Sequence, residues 1–280
     1  MIFVDGLGIA RPNPETNPIS EAICPQLMAA FRDHTIPVDA TLGVPGLPQS
    51  ATGQTSLLTG VNAQETIGRH VEGFPGPDLR EIISEHSIFE SLQMSGLAST
   101  FANGYLARTV EDVHAHRVKS VTTVATLAAF GDVRRAHLLE AREAVSHDLT
   151  REYLVPRGYT GEHLAVDEAA QDLMGIAQAH AFTLFEFFLT DRAGHAADMD
   201  IAARVLAKLD RLVAEVLRLA AYSQLLVVLT SDHGNIEDLS KRTHTTNPVP
   251  FMACGPGEEV LRERVNDLTD ITPAILEHLR

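Results

Sequence analysis

The chain has 280 residues, 45% apolar and 21% charged, enough for a sizeable core and enough to exclude wholesale disorder. Its 37 acids outnumber 22 Lys and Arg, and the net charge of −15 argues against nucleic acid and anionic membranes as partners. Cys24 and Cys254 can form at most one bridge, the start Met1-Ile-Phe-Val-Asp5 is unlike a secretion signal, and no apolar run spans a bilayer, so a cytoplasmic protein is expected.

Met1 to Val4 is an apolar run without alternation, as in a strand buried on both faces, and it ends at Asp5. After a Gly-, Pro- and Asn-rich loop, the spacing of Ile19, Ala22, Ile23, Leu27, Ala30 and Phe31 predicts a helix over 19–31. A short strand over 36–40 and a turn-rich stretch over 43–49 lead to a helix that opens at Ser50 and stops at Gly60. Helices are expected over 79–84 and 87–95, and a strand over 98–103. From 104 to 159 the pattern degrades into short segments rich in Arg and His. This stretch reads as a small inserted lid, with 1–103 and 160–280 forming the core domain. A helix over 166–179 and a long apolar strand over 182–190 follow. Next comes an amphipathic helix over 196–222, with Ile201, Val205, Leu209, Leu212, Val216 and Leu219 as its stripe. Strands over 224–230 and 250–253 and a helix over 272–279 complete the chain. The alternation predicts an α/β fold with a mostly parallel central sheet.

Three of the most strand-like segments stop at an acid: Asp5, Asp191 and Asp232. The carboxyl ends of strands in an open α/β sheet form its ligand crevice. Three carboxylates gathered there repel one another unless cations sit between them. One such Asp ordinarily caps a helix or sits in a turn. These come with imidazoles, His195 four residues after Asp191, His233 directly after Asp232, and His244 a further eleven on. Carboxylate with imidazole and no thiolate suits zinc or manganese, and three Asp with three His suffice for two divalent ions. The other ten histidines, including the pair His114 and His116, read as ordinary surface or core residues.

Ser50 stands where a helix should begin. It is either a plain N-cap or, at a helix terminus whose free N–H groups favour anions, a nucleophile that a metal could ionise. The segment Ser50-Ala-Thr-Gly-Gln-Thr-Ser-Leu-Leu-Thr-Gly60 resembles the nucleophile segment of the alkaline phosphatase superfamily. Thr230-Ser-Asp-His-Gly-Asn235 and His244-Thr-Thr-Asn-Pro-Val-Pro250 are most similar to the metal-binding domain of cofactor-independent phosphoglycerate mutase. The resemblance implies a three-layer sandwich in which Asp191, His195 and His244 hold one metal. Asp5, Asp232, His233 and the Ser50 hydroxyl would hold the other, with Ser50 as catalytic nucleophile. It also implies two-metal phosphotransfer or phosphoester hydrolysis through a phosphoserine on a small phosphorylated substrate. Only about 130 residues separate Gly60 from Asp191, so the lid is smaller than the second domain of the mutases, and Gly53 stands where the pyrophosphatases carry Asn. Arg69, Arg108 and Arg117, with Lys119, are the candidates for binding substrate phosphate or carboxylate. A phosphomutase of small phosphosugars or phospho-acids, and a catalytically silent metal-stabilised binding protein, are the alternatives.

Overall fold

A computed structural model describes residues 1–280. Its six strands are β1 (Ile2–Val4), β2 (Thr35–Val38), β3 (Ser99–Phe101), β4 (Phe182–Phe187), β5 (Val227–Thr230) and β6 (Val249–Cys254). Thirteen α-helices follow the chain as α1 (Pro25–His34), α2 (Ser50–Thr59), α3 (Ala63–Ile67), α4 (Pro77–His86), α5 (Ile88–Met94), α6 (Val110–Ala115) and α7 (Val121–Phe130). They continue as α8 (Ala136–Glu140), α9 (Val166–Gln178), α10 (Leu189–Ala196), α11 (Met199–Ser223), α12 (Glu258–Arg264) and α13 (Leu268–His278). The strands form one sheet in the order β2-β6-β5-β1-β4-β3. β3, β4, β1 and β5 run parallel, while β6 pairs antiparallel with both β5 and β2.

Alternation along the central strands divides the core into two slabs. Ile2, Val4, Phe185 and Phe187 face a cluster closed by α1, α9 and α11. Phe3, Leu184 and Val228 face the other cluster, with Leu57, Leu58, Ile83, Phe89 and Ile271 from α2, α4, α5 and α13. This is the three-layer sandwich expected from the sequence, with β1 buried on both faces.

Several boundaries moved. The helix expected over 19–31 begins at Pro25, because proline suits the first helical turn. Asp210 of α11 reaches across the layer to accept from Leu27 N at 2.7 Å, replacing the side-chain cap that Cys24 does not provide. The strand expected to run to residue 190 ends at Phe187, so Asp191 lies in the first turn of α10. The long helix expected from 196 is broken at Ala197, which adopts a φ of 51°, and restarts behind an Asp198 N-cap. Its buried face runs through Ala202, Leu206, Leu209, Val213 and Val216, rotated from the expected stripe so that Ile201 is exposed. Within 104–159, Val121 and Ala125 of α7 belong to the second slab with Phe3 and Phe89. Val145 and Leu149 belong to the first slab, and two small clusters form around Leu139, Leu154 and Tyr159 and around Ala107, Val113 and Val133. Arg151, 2% exposed, pins the first of these through Tyr159 Oη at 2.9 Å and Leu139 O at 2.6 Å.

Candidate metal centre

The centre lies at the carboxyl ends of β1 and β5 and the first turn of α10. Asp5 follows β1, Asp232 and His233 follow β5, and the 230s and 240s loops bring back His244. Two close approaches of backbone make this possible. Gly6, at a φ of 72°, lets the chain leave β1 against Asp191, and a Cβ there would lie 2.8 Å from the Asp191 Cα. Gly53 lets α2 lie on the Asp232 backbone, where a Cβ would stand 2.8 Å from the carbonyl oxygen.

All seven residues named from the sequence converge here. His195 Nε2 lies 3.1 Å from His244 Nε2 and 3.4 Å from Asp191 Oδ2, and His244 Nε2 lies 3.4 Å from Asp191 Oδ1. His233 Nε2 lies 3.3 Å from Asp5 Oδ1, 3.5 Å from Asp232 Oδ2 and 3.0 Å from Ser50 Oγ. The His233 and His244 rings stack with centroids 3.7 Å apart, so the two groups meet at one seam. Arg69, Arg108 and Arg117 are exposed, and no hydrogen bond or ion pair joins them to these residues.

Ser50 is the first residue of α2, and the N-cap position belongs to Gln49, which makes no side-chain cap bond. Its hydroxyl is therefore directed at His233 and not spent on the helix. The expectation of free helix N–H groups is corrected, because Ala51 N and Thr52 N both donate to Val71 O.

The electrostatics suit a cation. Burial, then the charges of Asp232, Asp191 and Glu186, hold the Asp5 carboxyl well above its usual range. Burial and Asp191 push Asp232 up to about 7, against the pull of the Gln54 hydrogen bond. At Asp191 burial acts upward too, but the neighbouring His244 and His233 rings and the Asn235 amide outweigh it and bring the group to about 2. Burial and the nearby His244 hold His233 down at about 3, a neutral imidazole. Each ring's Nδ1 faces a backbone carbonyl: Arg242 O for His195 at 2.9 Å, Pro48 O for His244 at 2.8 Å and Gly234 O for His233 at 3.4 Å. With each ring proton on Nδ1, and the proton that His244 shares with Asp191 displaced by a cation, three Nε2 lone pairs would face three carboxylates. Asp5 Oδ1 is buried without a hydrogen bond, although an imidazole nitrogen stands 3.3 Å away. Lone pairs and carboxylates facing one another in a buried space are a donor set that divalent ions fit.

Supporting residues escaped the sequence reading. Gln54 Nε2 donates to Asp232 Oδ2 at 3.0 Å and Asp5 Oδ2 at 3.3 Å. Asn235 Nδ2 donates to Asp191 Oδ1 at 2.6 Å. Glu237 gathers the loops by accepting from Gly8 N, Asn235 N, Thr245 Oγ1 and Asn247 Nδ2. Glu186 on β4 accepts from Thr122 Oγ1 at 2.6 Å, and burial raises its carboxyl to about 7. An acid inside the apolar run Phe182–Phe187 was the readable signal, because a buried carboxyl demands partners.

A family profile described as "Metalloenzyme superfamily" matches residues 1–280. The chain belongs to the metalloenzyme superfamily. Among curated relatives, this metalloenzyme is 28% identical over 109 residues to the 2,3-bisphosphoglycerate-independent phosphoglycerate mutase of Ehrlichia canis (strain Jake). The match covers 36% of the chain and 22% of that enzyme, so the shared stretch is about a fifth of the relative's length. Among solved structures, the PH0037 protein from Pyrococcus horikoshii superposes with a TM-score of 0.62 at 16% identity, covering 99% of this chain and 95% of the other. Alkaline phosphatase from the Antarctic bacterium TAB5 gives 0.54 at 13% identity, covering 99% and 96%. The metalloenzyme thus has the alkaline phosphatase-like fold over its whole length.

Proposed function

We propose that this metalloenzyme binds two divalent ions, zinc or manganese, and cleaves or transfers the phosphoryl group of a small phosphoester through a phosphoserine on Ser50. The observation that carries this reading is the Ser50 hydroxyl, free of capping and 3.0 Å from His233 Nε2. Asp191, His195 and His244 would hold one ion, and Asp5, Asp232 and His233, with Ser50, the other. When bound, the ions supply positive charge that lowers the hydroxyl pKa and offsets the negative charge of the phosphoryl oxygens. Ser50 Oγ, its proton lost to solvent, forms the bond to phosphorus as the ester P–O bond breaks, and the alcohol leaves with a solvent proton. Water, or an acceptor hydroxyl, then splits the phosphoserine and restores Ser50. Gln54 and Asn235 orient the carboxylates throughout. The free thiols of Cys24 and Cys254 support a cytoplasmic location, and no helix is long and apolar enough to cross a membrane.

The test is a panel of phosphate esters, with sulfate and phosphonate esters as controls, assayed with zinc and with manganese. Ser50→Ala should retain about two ions per chain by metal analysis yet lose turnover by about 10³-fold or more. Full activity in that variant refutes the covalent route.

A further inference from the structure

A second hollow lies beside the metal centre, at the carboxyl ends of β3 and β4, on the rim where β1 delivers Asp5. It holds about 650 Å³, and Phe101, Leu154, Phe188, His147 and Arg157 are among its walls. Glu186 also lines it, and the register Phe3↔Glu186 sets that side chain on the face of the sheet shared with Asp5, one diagonal step away. A space of this size takes an organic molecule far larger than a three-carbon alcohol. One wall is flat and aromatic: His147 stacks on Phe188 at 4.2 Å and 16°, and Tyr153 stands edge-on to His147 at 4.6 Å. His147 Nε2 is buried and has no partner.

Two cations stand at the outer end. The Arg157 guanidinium carbon lies 4.2 Å from the centre of the Tyr153 ring, and that of Arg192 lies 4.9 Å from the same centre. Arg157 lines both this hollow and the adjoining groove, which Arg192 also lines. Arg192 sits three residues before His195 on α10, so the two are neighbours on its surface. Arg157 donates only to the carbonyl and hydroxyl of Tyr153, at 3.0 and 3.3 Å, and neither arginine forms a salt bridge. The acids of the groove are engaged elsewhere. Glu152 holds Lys208 at 2.9 Å, and Asp148 accepts from Ser146 Oγ, Arg151 N and Tyr153 N. Burial foremost drives His147 down to about 4, against the upward pull of Asp148 and with added pressure from Arg157 and Arg192. Two like charges at one ring repel, and an anion reaching both would offset that with charge-assisted hydrogen bonds.

We propose that the substrate is a phosphoester of a bulky, ring-bearing alcohol that carries a second anionic group, carboxylate or phosphate. Its ring lies against Phe188 and His147, and its distal anion is held by Arg157 and Arg192. The proposal rests on the phosphoester reading of the metal centre. It moves substrate recognition away from Arg69, Arg108 and Arg117. On a chain of net charge −15 it also supplies the local attraction that a doubly anionic ligand needs.

The test titrates benzylphosphonate and 4-carboxybenzylphosphonate into metal-loaded protein by calorimetry. The natural chain should bind the carboxylated ligand at least about tenfold more tightly. The Arg157→Ala/Arg192→Ala variant should keep less than about threefold of that advantage. Equal affinities in the natural chain, or an advantage that survives the double substitution, overturn the subsite. Both arginines are exposed. Should the double variant nevertheless melt early, Arg192→Gln alone should lose at least about threefold of the advantage, and a full advantage there overturns the subsite as well. The matching phosphate esters separate the two readings. Arginine-dependent binding without any turnover would refute phosphoester cleavage and leave the anion subsite standing.

Discussion

Gly53→Ala sets two effects of opposite sign against each other. In a buried helix interior, alanine should gain about 0.5–1 kcal/mol over glycine from backbone entropy. At this position the new methyl would lie 2.8 Å from Asp232 O and 3.2 Å from Asp232 Cβ, and the first of these is backbone that cannot swing away. Relieving the clash requires α2 to retreat by about half an ångström to reach ordinary contact distance. Overpacking of this kind costs about 1–3 kcal/mol, so the steric effect wins by about 1 kcal/mol at mid-range and the melting temperature should fall by about 2–4 °C. Ser50 sits three residues earlier on the same face of α2, so the retreat also draws its hydroxyl off His233, now 3.0 Å away. A displacement of that size should lower kcat by about tenfold. Differential scanning calorimetry and steady-state turnover of the best ester from the panel measure both. A variant that melts higher and keeps full turnover would refute the packing argument and the role it gives α2.

Chelation should destabilise the fold, because ions present at a hundredfold excess over Kd each contribute about 2.7 kcal/mol. Melting with and without EDTA should differ by about 10 °C or more, and a difference under about 2 °C would sink the two-ion reading. Asn235→Ala frees Asp191 Oδ1 from its 2.6 Å bond and should weaken metal binding about 10- to 100-fold in competition with a fluorescent chelator. Unchanged affinity there would show that the amide does not position the carboxylate. Glu186 titrates near 4.5 when unfolded and at about 7 when folded, so the folded chain binds the extra proton. Its contribution to stability is complete below about pH 4.5 and lost as pH rises to about 7. Glu186→Gln should therefore remove about 2 kcal/mol of the decline between pH 5 and 7 in urea unfolding of metal-free protein, and an unaltered pH slope would contradict the burial argument.

The candidate metal centre was legible because its residues are concentrated at strand ends. Asp5 and Asp232 each close an apolar run, and His233 and His244 come with the second. Asp191 was found for a partly wrong reason. The run through Phe188 and Leu189 stays apolar across the switch from β4 to α10, so hydropathy could not mark where extended chain becomes helix. The same blindness merged α10 with α11, since Ala196 and Ala197 favour helix and only the Asp198 cap and a left-handed residue show the break. Ile19 to Ile23 mimics a helical face, yet Pro25 sets the true start. The arginine pair at Tyr153 leaves no mark in the sequence. Nothing local distinguishes Arg157 and Arg192 from Arg69 or Arg117, because what sets them apart is a shared tyrosine 4 to 39 residues away in sequence. Gln54 is equally silent on paper, as its role depends on which way α2 is rolled against the sheet.

Glu237 ties residue 8 to residues 235, 245 and 247, and His244 is anchored to the loop just ahead of Ser50. The first six residues and those beyond 230 therefore have to meet before any cation finds its full set of partners. During synthesis Ser50 emerges long before residues 232 to 244, and contacts of such long sequence separation form late. Under the proposed function, ion uptake would thereby report that these distant segments have come together.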